Sequence, residues 1–156
     1  MRVSVITISD RASRGEYEDL SGPALEREVL GRFPGSTVTR RVVADDVQQI
    51  LEALEAAAPR SDFILTAGGT GIGPRDVTPE ATRGFCDREI PGIAEALRAH
   101  SLVETPAAML SRGFAGVRGS CIVVNLPGSP KAVRRCMQAL APAMEHALAM
   151  LRGEGH

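Results

Sequence analysis

The stretch from Thr66 to Thr82 reads TAGGTGIGPRDVTPEAT. Gly68, Gly69, Gly71 and Gly73 fall within six residues, with Thr70 among them, and Pro74, Arg75 and Asp76 follow. Glycine permits positive φ and lets a ligand touch bare backbone. Successive N–H groups in such a loop make an anion-binding concavity. A tight turn needs one glycine, so the surplus points to a phosphate cradle. The loop is not a Walker motif, because Gly71 is followed by Ile72 instead of lysine. It is not a dinucleotide fingerprint either: counting from Gly69, the sixth place is Pro74. Of 18 basic residues only Lys131 is lysine, which leaves backbone N–H groups and arginine, Arg75 above all, to hold an anion.

Two acidic positions accompany the cradle. Asp76 stands just before Thr78-Pro79, and Asp45-Asp46 ends another β-rich run. Carboxylates repel a bare polyphosphate, but they suit a divalent cation placed between, since Mg²⁺ takes one or two carboxylates plus phosphate oxygens. One residue of the Asp45-Asp46 pair can instead cap the helix that follows.

These residues need elements that bring them together. Val3–Ile8, Thr37–Val43, Phe63–Thr66 and Cys121–Val124 read as strands, rich in β-branched residues. Leu20-Ser21-Gly22-Pro23 starts a helix, with Ser21 as its N-cap and Leu20 packing on Leu25. Val47, Ile50, Leu51, Leu54 and Ala58 form one apolar helical stripe. Thr78-Pro79-Glu80 opens a third helix by the same cap-and-proline logic. Ser129-Pro130 opens the last, whose apolar face runs Val133, Met137, Leu140, Met144, Leu148 and Leu151 and which Pro142 should kink. Residues 91–112 read as short helical pieces, and the tail RGEGH as frayed.

Strand, loop and helix thus repeat four times. The pattern predicts an α/β fold, a mostly parallel sheet with helices on both faces in a three-layer sandwich. Ligands of such sheets bind outside the carboxyl ends of the strands. All four ends here carry polar or glycine-rich sequence: SDR, ADD, GGTGIGPRD and NLPGSP.

A chain of 156 residues fits a single domain, 1–156. Its formal charge of −1 gives no global field for nucleic acid or a membrane surface. Cys86, Cys121 and Cys136 lack a CxxC spacing and sit in apolar contexts, as reduced core thiols of a cytoplasmic protein do. His100, His146 and His156 show no metal-ligand spacing. No run approaches a membrane span, and the start is too short and polar for a signal peptide.

Taken together, TISDR, SGP, the Asp45 strand end, TAGGTGIGPRDVTPEAT, AMLSRGFAGVRGS and NLPGSPKAV resemble the MogA/MoaB family of molybdenum cofactor biosynthesis, from about Val3 to Leu148. The likeness extends to the molybdopterin-binding G domains of plant and animal proteins, gephyrin among them. It implies a molybdopterin-binding domain and a molybdopterin adenylyltransferase, which uses Mg²⁺ and ATP to adenylate the terminal phosphate of molybdopterin and releases pyrophosphate. It also implies a homotrimer, with a molybdenum insertase as candidate partner for the next step.

Matching the family's motifs places its two functional acids, for catalysis and metal, on Asp45 and Asp76. Ser9, Asp10, Arg11, Ser111 and the loop of Asn125, Pro127, Gly128 and Ser129 match stretches lining its substrate site, beside the phosphate loop and Thr78. Relatives often carry proline before the first acid where this chain reads VADD; the alignment favours Asp45 over Asp46. A non-catalytic pterin-binding or scaffolding trimer of the same fold is the alternative.

Overall fold

The computed structural model describes residues 1–154. Four parallel strands, β1 (Arg2–Ile8), β2 (Thr37–Val43), β3 (Phe63–Ala67) and β6 (Cys121–Leu126), build most of one sheet. Two short antiparallel strands, β4 (Arg88–Glu89) and β5 (Ala115–Arg118), extend it beyond β6, giving the order β2-β1-β3-β6-β5-β4. All side chains of β3 and β6 and six of seven in β1 are buried, which explains their unbroken apolar runs. On the outer edge, β2 is mostly exposed and carries Arg40 and Arg41.

Alternate residues of each central strand feed two cores. Val3, Val5, Phe63, Leu65, Ile122 and Val124 pack under α2 (Ser21–Arg32), α5 (Pro91–Leu102) and α6 (Pro130–Leu151). Ile6, Ile8, Ile64 and Val123 face α3 (Val47–Ala57) and α4 (Thr78–Phe85). A single turn, α1 (Asp10–Ser13), follows β1. The molecule therefore has the expected three layers.

Several local expectations need correction. The amide groups at the start of α2 are capped by Asp19, whose carboxylate accepts from Ser21 N and Gly22 N at 3.1 and 2.9 Å. The Ser21 hydroxyl instead donates to the Gly128 carbonyl at 2.7 Å, and Leu20 is largely exposed. Thr78 likewise caps nothing: its hydroxyl donates to the Gly68 carbonyl at 2.9 Å, tying α4 to the glycine loop. Residues 91–102 form one continuous helix with Pro91 in its first turn, and Pro106–Leu110 is a 3₁₀ turn.

Ser129 does cap α6, accepting from Ala132 N, and the helix runs on through Pro142 to Leu151. Its end is not frayed as far as Glu154. Gly153, at φ 75°, donates to Met150 O and Glu154 donates to Ala149 O, closing the last turn. The rest of the expected frayed tail, with His156, lies outside the described residues. Cys86, Cys121 and Cys136 are free thiols, and burial pushes Cys86 up to about 11 and Cys121 up to about 12. No helix among the described residues is long and apolar enough to cross a membrane.

Candidate active site

Strand register sets the site. Ile8 pairs with Val43, Thr7 with Ala67, and Ala67 with Leu126, so four strands end at one level. β1 has β2 on one side and β3 on the other, which makes the gap between β1 and β3 a topological switch point. A cleft of about 260 Å³ opens there, lined among others by Ser9, Tyr17, Asp19, Asp45, Gly68, Gly69, Asp76 and Gly128.

Its acidic side is a reciprocal pair. Asp10 N donates to the Asp45 carboxylate at 2.8 Å, and Asp45 N donates to the Asp10 carboxylate at 3.1 Å. Asp46 turns away and caps α3, accepting from Gln49 N at 3.0 Å. Which of the two aspartates lines the cleft is thereby settled as Asp45. Burial, then the neighbouring carboxylates of Asp10 and Asp76, push Asp45 above the ordinary aspartate range, against its hydrogen bond from Asp10. Arg75 holds Asp10 with two hydrogen bonds of 3.0 Å, which keeps Asp10 below that range. Arg75 is thus already engaged by a carboxylate.

The glycines divide into two kinds. Gly68 and Gly69 have φ of 112° and 64°. A Cβ on Gly68 would meet the Ile8 carbonyl oxygen at 2.2 Å, so the loop presses against the end of β1. Gly71 and Gly73 have ordinary φ but surround Asp76: a Cβ on either would lie 2.8 or 2.9 Å from its carboxylate, which accepts from Gly73 N at 2.8 Å. Gly69→Val would strain φ and bring Cβ to 2.3 Å from Thr78 Oγ1 and 3.1 Å from Asp45 Oδ1. We expect it to weaken pterin or nucleotide binding at least about tenfold, or 1.4 kcal/mol. Calorimetry on a variant whose fold is confirmed by circular dichroism tests this; unchanged binding means the glycines serve only a turn.

Other predicted site residues are placed less directly. The Ser9 hydroxyl lines the cleft but accepts from Ala12 N at 3.2 Å, and the Arg11 guanidinium stacks 4.8 Å from the centre of the Tyr17 ring. Thr70 is buried. Asn125 is 2% exposed, and its amide bonds Thr66, Thr82 and Phe114 N, so it braces the sheet edge from within. Ser111 and Pro127 line a separate small hollow with Arg98 and Ser101, and Ser111 Oγ accepts from Gly113 N. Gly128 reaches the cleft because its Cα side abuts Gly68: a Cβ there would lie 3.2 Å from the Gly68 Cα.

Two residues escaped the sequence reading. Asp19 lines the cleft, caps α2 and accepts from the Thr7 hydroxyl at 3.0 Å. Arg112 bonds the Gly71 and Asp76 carbonyls at 2.6 Å each and pairs with Glu80. Asp19 acts locally, on backbone N–H groups two and three residues ahead, where Ser21 looked the better cap. Arg112 works through backbone groups distant in sequence, and a glycine-rich loop whose carbonyls need donors was the signal for it.

No group of three or more His, Cys, Asp or Glu side chains among the described residues could hold a metal on its own. Asp45, with its carboxylate crowded by Asp10 and Asp76, still suits a cation that completes its shell from phosphate and water.

With this geometry in place, similarity to known proteins is informative. Residues 4–146 match the family described as "probable molybdopterin binding domain". The chain is 40% identical to the molybdopterin adenylyltransferase of Helicobacter pylori strain J99, over 98% of this chain and 89% of that protein. A solved structure of MogA superposes with a TM-score of 0.91 at 39% identity, covering 97% of this chain and 99% of that one. The molybdopterin biosynthesis enzyme MoaB from Thermus thermophilus superposes at 0.86 with 45% identity, covering 97% and 96%.

Proposed function

The chain belongs to the family of molybdopterin-binding domains, and from that premise we propose that it is a molybdopterin adenylyltransferase of molybdenum cofactor biosynthesis. In this reaction a terminal phosphate oxygen of molybdopterin forms a bond to the α-phosphorus of ATP. The bond from that phosphorus to the bridging oxygen breaks, and its electron pair leaves with pyrophosphate. Little covalent chemistry falls to the protein, whose work is positioning and electrostatic stabilisation.

Asp45 and Asp76 are the residues to hold Mg²⁺, which when bound supplies positive charge against the polyphosphate. The glycine loop binds phosphate through its N–H groups. The N-terminus of α4, tied to that loop through Thr78, adds a favourable dipole of about 0.3–1 kcal/mol. Asp10 keeps Asp45 oriented through the paired backbone bonds, and Arg75 offsets part of the acidic charge.

The observation that carries the reading is that Asp45 and Asp76 line one cleft with Gly68 and Gly69 at the switch point. Incubation with molybdopterin, Mg²⁺ and ATP tests it, with AMP-linked pterin and pyrophosphate as expected products. Tight pterin binding without adenylate would instead mark a non-catalytic pterin-binding trimer. The adenylated product is what a downstream molybdenum insertase would receive.

A homotrimer is part of the proposal. Leu97 and Phe114 are buried in the chain's own core at 6% and 3% exposure and are not available to an interface. Leu102, Val103, Met109 and Leu110 remain exposed around the end of α5, as an interface requires. Light scattering should give about three times the 16.5 kDa chain mass; a monomer at micromolar concentration overturns this.

A further inference from the structure

We infer that Arg112 is a positioning residue that presets the phosphate cradle from behind. The inference rests on the phosphate-binding reading of the same loop. Arg112 meets three loop carbonyls at once: its backbone N–H donates to Thr70 O at 2.9 Å, its Nε to Gly71 O and its Nη2 to Asp76 O at 2.6 Å each. Nη1 pairs with Glu80 at the first turn of α4. One side chain therefore ties the start of the loop, its end and the helix beyond.

The consequence follows from peptide geometry. In a planar trans peptide, a carbonyl and the next N–H point in opposite directions, and no cis peptide occurs among the described residues. With the Thr70, Gly71 and Asp76 carbonyls aimed at Arg112, the N–H groups of Gly71, Ile72 and Val77 aim away from it. Among the described residues none of those three N–H groups donates a hydrogen bond within the protein. Gly71 and Ile72 thus offer successive N–H groups of the kind that build an anion nest, and Val77 offers a third at the other end of the loop.

This arrangement also answers why the loop dispenses with a lysine. Arg75, the cation within the loop, is taken by Asp10. The loop's affinity for phosphate then rests on oriented peptide groups, and Arg112 supplies the orientation without touching the ligand. Only a guanidinium can do this, because its planar fork serves two carbonyls and a carboxylate together, whereas an ammonium is a single point charge.

The test compares Arg112→Lys and Glu80→Gln, each checked for folding by circular dichroism, with Arg112→Gln in reserve should the lysine variant not fold. The probe is tripolyphosphate with Mg²⁺, measured by calorimetry, beside backbone ¹⁵N order parameters of Gly71, Ile72 and Val77 in the free protein. Arg112→Lys keeps the charge and should nevertheless weaken probe binding at least about tenfold, with order parameters falling toward the flexible range below about 0.6. Glu80→Gln keeps the carbonyl bonds and should change binding less than about threefold.

Binding within twofold of wild type in Arg112→Lys, or a loop that stays rigid, overturns the inference. So does a loss in Glu80→Gln equal to that in Arg112→Lys, which would assign the effect to the ion pair. If the wild-type protein binds the probe but makes no adenylated pterin, the adenylyltransferase reading fails, and the two variants still decide the role of Arg112. If it adenylates normally while the lysine variant keeps a rigid, fully binding loop, the positioning role of Arg112 fails and the reading stands.

Discussion

Asp76→Asn is expected to lower the adenylation rate at least about 100-fold, roughly 2.7 kcal/mol of lost transition-state stabilisation, with a melting temperature near that of wild type. The structure explains why the two effects should separate. The Asp76 side chain is an acceptor for Gly73 N at 2.8 Å, enclosed by Gly71 and Gly73. Asparagine offers a carbonyl oxygen of the same shape to that N–H, so the loop can close as before. What it lacks is the negative charge proposed to hold Mg²⁺. Pterin binding should change much less, because the peptide cradle and Gly128 remain. Rates at saturating Mg-ATP, measured beside melting curves, decide the matter; near-wild-type turnover removes Asp76 from the chemistry, and a large drop in melting temperature assigns it to the fold.

Much of the scaffold could be read from residue order because it rests on local signals. The β-branched runs of β1, β3 and β6 are long enough to mark strands buried on both faces, and the stripe of α3 marks a helix lying on them. β4 and β5 gave no such signal. They have two and four residues, and Gly116 looks like a breaker until the packing is seen. A Cβ there would meet the Arg88 carbonyl at 2.7 Å and Cys86 Cβ at 2.8 Å, so the antiparallel extension needs glycine at that crossing. Residues 91–112 read as short helical pieces, and Pro91 at their start is the reason. It suggested a broken segment, whereas proline in a first turn begins a helix.

The site was legible where topology decides and opaque where long side chains do. Parallel strands whose ends all carry unusual sequence must bring Asp45, the glycine loop and NLPG to one edge, and they do. Ser21 and Thr78 look like caps by type and position, yet each hydroxyl donates to a loop carbonyl instead. Arg75 seemed free to meet phosphate because nothing local pairs with it; its partner Asp10 lies 65 residues away. Arg112 reaches Gly71 across 41 residues. Spacing along the chain carries no information about such reach.

Asp45→Asn should reduce turnover about as much as Asp76→Asn and yet raise the melting temperature of the free protein at neutral pH. Burial, with Asp10 and Asp76 nearby, raises the folded-state pKa of Asp45 above 3.8. A carboxyl with a raised folded pKa contributes stability below its unfolded pKa and loses it as pH rises through the folded value. At neutral pH the charged Asp45 is therefore a cost to the fold, which asparagine removes while still accepting the Asp10 N–H. The difference between variant and wild type should vanish as pH falls below about 3.8, where both side chains are neutral. Saturating Mg-ATP should reverse the order at neutral pH, because a ligand stabilises the form that binds it by RT ln(1 + [L]/Kd). Asp46→Asn, by contrast, exchanges one good N-cap for another and should leave turnover and both melting temperatures nearly unchanged. Differential scanning fluorimetry across pH, with and without Mg-ATP, reads all three variants. If Asp45→Asn melts lower than wild type without ligand, Asp45 is a structural acceptor; if Mg-ATP stabilises it as strongly as wild type, Asp45 takes no part in holding the nucleotide.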